Sequence, residues 1–68
     1  MISEEDKILI TKFKEILDRG HYANGKQVTD CYNRVFSKKI ASTNCSTCIK
    51  KRIGALYKQL EKEVNNGN

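Results

Sequence analysis

The sequence predicts an all-α fold: a small three-helix domain with a long C-terminal helix and a short Asn-Gly turn or mini-hairpin after the first helix. Two observations carry this. Three segments repeat apolar residues at helical spacing, and each opens on residues that can cap a first turn. Between the first two segments, Asn24-Gly25 is a two-residue hairpin signal and the one place where strand is expected. Helices of these lengths are not stable alone, so they must bury their stripes against one another. The expected domain spans residues 1–64, with a disordered tail at 65–68.

The first helix opens at Ser3-Glu4-Glu5-Asp6, a serine cap followed by acids that favour the positive end of the helix dipole. Leu9, Phe13, Ile16 and Leu17 form its apolar stripe, with Ile10 at the edge and Ile8 pointing away. Gly20 is placed to end it in the left-handed conformation. The second helix is expected from about Thr29 to Lys38 or Lys39, with Thr29 or Asp30 as its cap. Val28, Cys31, Tyr32, Val35 and Phe36 share its inner face, and Ile40 follows as a core plug in the connector. The third helix is expected to be capped by Asn44, with Cys45 as its first residue. Cys45, Ile49, Ile53, Leu56, Leu60 and Val64 then fall on one face, Tyr57 at its edge and Lys51, Lys58 and Lys62 roughly opposite. Gly54 in the interior should cost about 1 kcal/mol relative to alanine, or mark the close approach of another helix.

At 68 residues, 38% hydrophobic and a mean hydropathy of −0.64, the chain can build only a modest core. No apolar run approaches a membrane span of about 20 residues. The acidic start, MISEEDK, lacks the features of a secretory signal, so a cytoplasmic location is expected. Three cysteines is an odd number, which argues against a closed disulfide framework.

The formal charge of +5 is unevenly spread. No acidic residue lies between Asp30 and Glu61, while Arg34, Lys38, Lys39, Lys50, Lys51, Arg52 and Lys58 all do. Such a stretch suits an anionic partner, or serves as a solubilising face. The second helix, connector and third helix have the outline of a helix-turn-helix, although the connector is longer than a turn of 3–4 residues. In that reading Arg34, Lys38, Lys39, Ser46, Thr47, Lys50, Lys51, Arg52 and Lys58 form the nucleic-acid-binding set.

Cys45-Ser46-Thr47-Cys48 can hold zinc, form a redox disulfide, or be two structural thiols. Cys31 and His21 are the other candidate ligands, and neither has a finger-like spacing. The expectation is therefore no metal and no cofactor, with Cys45 packed in the core and Cys48 bracing the helix mouth. No carboxylate pair, Ser/His arrangement or phosphate-cradling loop points to catalysis. An enzyme, a small-molecule substrate and a membrane partner are not expected.

VTDCYNRVF at Val28–Phe36, followed by TNCSTCIKKRI at Thr43–Ile53, resembles a pattern in short proteins of gut bacterial phages and mobile elements. YANGKQ at Tyr22–Gln27 is similar to the same pattern. Cys31 stands where that pattern has leucine, which implies a core role. The resemblance carries no established activity. It implies a phage-associated role in DNA handling, host interference or virion assembly, in host cytoplasm or on the virion. The function expected is a non-enzymatic module that contacts nucleic acid. The alternative is a small structural or assembly protein that binds a protein partner, or itself, through the third helix and exposed Ile8.

Overall fold

A computed structural model describes residues 2–66 and shows three helices: α1 (Glu4–Asp18), α2 (Gly25–Phe36) and α3 (Ser46–Asn66). There is no strand among the described residues. The tail expected at 65–68 begins as the last two residues of α3, and positions 67–68 lie outside the described residues.

Both ends of α1 follow from local chemistry. The Ser3 hydroxyl accepts the Asp6 N–H at 3.2 Å, and Glu4, Glu5 and Asp6 occupy the first turn. At the other end Gly20, at φ +76°, donates to the Leu17 carbonyl while His21 donates to that of Ile16, both at 3.0 Å. This paired bonding with a left-handed glycine is the Schellman motif.

The α1 inner face is turned relative to the sequence expectation. Ile10, placed at the edge, is fully buried, and so are Phe13 and Asp6, whereas Leu9, Ile16 and Leu17 are half-buried. Ile8 is 56% exposed, as its position on the wheel required. The turn has an electrostatic cause. Asp6 faces inward because Arg34 of α2 binds it with two donors, Nη2 to Oδ1 at 2.8 Å and Nε shared between Oδ1 at 3.2 Å and Oδ2 at 3.4 Å. A first-turn acid reads as solvent-facing unless its partner, 28 positions later, is known.

The α2 helix starts earlier than its periodicity implies. Asn24 does not make a hairpin turn: its Oδ1 accepts the N–H groups of Lys26 and Gln27 at 3.0 and 3.1 Å, and Gly25 is the first helical residue. Asparagine serves a helix cap as readily as a turn. His21–Ala23 is too short a flank to compete as strand. Thr29, expected near the cap, is instead buried inside the helix. The helix closes at Ser37, held left-handed at φ 54°.

The connector, residues 37–45, decides the architecture by running back along α2. Asn33 clasps Ile40 with both ends of its amide, Nδ2 donating to the Ile40 carbonyl at 3.0 Å and Oδ1 accepting its N–H at 3.1 Å. Next, the Ala41 carbonyl accepts from Arg52, whose Nη1 also donates to Thr29. Then the Thr43 carbonyl lies over Gly25, so close that a Cβ there would overlap it. As the connector advances from 40 to 43 its partners retreat from 33 to 25. The α3 helix therefore begins beside the first turn of α2.

The remaining contacts set the directions. Asp6 meets Arg34, so the start of α1 lies by the end of α2. Ile2 N–H donates to Glu63 Oε1 at 2.9 Å, and Lys14 lies 5.7 Å from the Tyr57 ring centroid, so α1 and α3 are antiparallel. The late turns of α3 thus dock on the start of α1 rather than protruding. Ile2, Ile10, Phe13, Ala23, Val28, Cys31, Ile49, Ile53 and Leu56 make the buried core, with Tyr32, Val35, Phe36, Tyr57 and Leu60 packed around it.

Two glycines should respond oppositely to alanine. Gly25→Ala forces a methyl into the Thr43 carbonyl and should destabilise by about 1–3 kcal/mol. Gly54 is exposed with open space around it, so Gly54→Ala should stabilise by about 1 kcal/mol. Urea unfolding followed by circular dichroism reads both.

Arg34 holds the Asp6 carboxyl below the usual carboxylate range, against the opposing effect of burial. A depressed folded value contributes stability that is complete above the unfolded pKa of about 3.9 and lost as pH falls through the folded one. Arg34→Met should cost about 1.5–3 kcal/mol at pH 7 by stranding that carboxylate. The variant should recover part of its deficit at pH 3, where Asp6 protonates. Unfolding curves of both proteins at the two pH values provide the check.

Candidate nucleic-acid interface

The basic residues between Asp30 and Glu61 do not act alike. Arg34 is committed to Asp6. Arg52 is half-buried and holds α3 to both Thr29 and the connector. These two arginines are structural ties in the folded protein. Their guanidinium groups reach interior oxygens that the helical periodicity of their own segments does not reveal.

The lysines stay on the surface, in two places. Lys38 and Lys39 are exposed just past the end of α2, with Lys38 Nζ 5.9 Å from the Tyr32 ring centroid. Ser46, Thr47, Lys50 and Lys51 are exposed in the first two turns of α3, which start at the opposite end of α2. The 12 residues of α2 put roughly 18 Å between these groups. The proposed set is therefore not one patch. In a helix-turn-helix a short turn leads directly into the second helix. Here the returning connector separates the end of α2 from the mouth of α3.

Lys58 stands about two turns along α3 from Lys50. Together with Lys14 of α1 they line a groove of 560 Å³ whose walls include Leu17, Ile53, Gly54 and Tyr57. Lys14 also pairs with Asp18 at 3.3 Å, and Glu61 lies at the rim. Lys14 was not foreseen because it sits in the acidic-leaning first helix, and only antiparallel packing carries it to α3. Lys38, Lys39, Lys50, Lys51 and Lys58 have no carboxylate within ion-pair distance among the described residues.

The mouth of α3 corrects a core assignment. Cys45 is exposed rather than packed, because the helix begins at Ser46 and leaves Cys45 just outside it. Its sulfur accepts the Cys48 N–H at 3.4 Å, taking the capping place expected for Asn44, and the Thr43 hydroxyl accepts the Cys45 N–H at 3.1 Å. Cys48 is half-buried. The hydrogen bond from the Cys48 thiol, helped by backbone N–H groups and Lys51, lowers the Cys45 pKa. The same bond, with desolvation, raises that of Cys48. Cys31 lies apart in the core beside Asp6, where burial pushes its thiol up to about 11. His21 is exposed. Among the described residues no three His, Cys, Asp or Glu side chains are grouped to hold a metal ion.

The division between arginine ties and free lysines is open to measurement. Arg52→Ala should destabilise the fold by about 1.5–3 kcal/mol, since it removes a charged donor from the buried Thr29 hydroxyl. Lys50→Ala and Lys51→Ala should each stay within about 0.5 kcal/mol of the parent protein. Thermal denaturation of the three variants compares them directly. In comparisons with protein-family models, curated proteins and solved structures, no family model, curated protein or solved structure matches this chain.

Proposed function

We propose that the protein is a small non-enzymatic binding module that contacts nucleic acid through α3. Lys50, Lys51 and Lys58 face phosphate, and Ser46 and Thr47 contribute hydroxyls at the helix mouth. The observation that carries this reading is the separation of roles among the basic residues. Arg34 and Arg52 are bonded within the fold, while Lys50, Lys51 and Lys58 carry positive charge with no carboxylate in ion-pair distance among the described residues. Phosphate contacts of this kind position a protein on a nucleic-acid backbone and carry no base preference. Lys38 and Lys39 form a second contact region at the far end of α2, and Arg34 and Arg52 position these surfaces. The resemblance to phage-encoded short proteins fits a DNA-handling role in host cytoplasm or on the virion.

The alternative is an assembly protein that docks a protein partner through α3 and Ile8. Its support is the 56% exposure of Ile8, which lies with Lys7, Thr11 and Lys12 in a shallow depression.

Salt and charge reversal separate the two readings. Nucleic-acid affinity should fall steeply with ionic strength as counterions are released. Lys50→Glu with Lys51→Glu should leave the circular dichroism spectrum unchanged and reduce the slope of log Kd against log salt by about 2. Gel-shift titrations with duplex and single-stranded DNA at several salt concentrations measure this. No shift by the parent protein at low salt would reject the nucleic-acid reading and leave the assembly reading, tested by self-association.

A further inference from the structure

Cys45 and Cys48 are used neither by the core nor by the proposed phosphate contacts. Cys45 is exposed immediately before α3, and Cys48 is half-buried one turn on, its N–H directed at the Cys45 sulfur at 3.4 Å. We propose that the two thiols form a surface dithiol site that exchanges with small-molecule disulfides, Cys45 attacking and Cys48 resolving.

The geometry favours that order. The attacking sulfur must be reached from solvent, and Cys45 is the exposed member. Negative charge on it is met by the Cys48 thiol, the N–H groups of Cys48 and Thr47, and the Lys51 ammonium. Thiolate character of this origin is what makes a cysteine at a helix N-terminus nucleophilic. Helical neighbours three apart have Cβ atoms roughly 5–6 Å apart, and a disulfide needs about 3.5–4.5 Å. Cys45 precedes α3, so the spacing of helical neighbours does not bind its side chain, while its carbonyl keeps the Ile49 N–H at 2.9 Å. Cys31 cannot substitute, because it is fully buried on α2 with its thiol held protonated beside Asp6.

In the first step the Cys45 thiolate attacks one sulfur of a disulfide RSSR. The S–S bond breaks, one RS⁻ leaves and takes a proton from water, and Cys45 carries the other half as a mixed disulfide. Cys48 then loses its proton to water and attacks the Cys45 sulfur. The second RS⁻ leaves and is protonated, and a Cys45–Cys48 disulfide remains. Two electrons pass from the protein dithiol to the substrate disulfide, and two thiols are released.

The test uses the reduced full-length chain and glutathione disulfide, with acid quenching, alkylation and intact-mass measurement. The parent protein should lose two hydrogens, retain no glutathionyl group and leave one thiol, Cys31, to be alkylated after unfolding. Cys48→Ser should accumulate one glutathionyl group on Cys45. Cys45→Ser should react at least roughly tenfold more slowly. A stable glutathionyl adduct on the parent protein, a Cys45→Ser variant that reacts at the parent rate, or no reaction at all would each overturn the proposal. Circular dichroism of both variants establishes that they are folded, and the parent result stands independently of them.

Discussion

The close passage of the Thr43 carbonyl over Gly25 governs the rest of this molecule. A chain leaving α2 at Ser37 has two ways to start another helix. It can turn at once, or it can return along the helix it has just left. The return requires a place where backbone can lie on backbone, and a residue without a side chain provides it. The Asn33–Ile40 clasp starts the return, Arg52 holds its middle, and Gly25 receives its end. Once α3 starts beside the first turn of α2, its direction along the core and its contact with the start of α1 follow.

Much of the specificity inside the fold is polar. Asp6 and Arg34 tie α1 to α2, and Thr29 and Arg52 tie α2 to α3. Among the described residues every buried side-chain oxygen and nitrogen has a partner. In the Asp6–Arg34 pair only the carboxylate is buried, and removing the arginine is costly because that charge is left without its partner. In a chain with few large apolar residues, such ties select one arrangement of three helices over other pairings of the same stripes. They also explain why two of the seven basic residues in the acid-free stretch are engaged in bonds within the fold, Arg34 while its side chain remains 52% exposed.

The mouth of α3 owes its chemistry to the same connector. Because the helix begins at Ser46, Cys45 is left in the capping place with its sulfur bonded to the N–H of Cys48. Had the helix begun one residue earlier, Cys45 would have lain on the stripe of Ile49 and Ile53. Its exposure places two thiols beside Lys51, on the end of the molecule where Ser46, Thr47 and Lys50 also emerge. The groove of Lys14, Lys50 and Lys58 is likewise a product of packing, since Lys14 lies more than thirty residues from the other two in the chain.

The sequence by itself determined the three helices, the serine cap and glycine stop of α1, the exposure of Ile8 and most of the apolar residues near the core. These depend on neighbours within one turn, where cap chemistry and helical periodicity operate. The surface lysines of α3 were legible for the same reason. Only the tertiary structure decided that Asn24 caps a helix rather than turning a hairpin, because both uses satisfy the same local donors. It also decided that Ile10 and Asp6 face inward and Cys45 outward, that Arg34 and Arg52 are ties, and that Lys38 and Lys39 lie far from the mouth of α3. The inward faces of Ile10 and Asp6 and the ties of Arg34 and Arg52 rest on partners distant in the chain, and periodicity carries no information about which helix a face will meet.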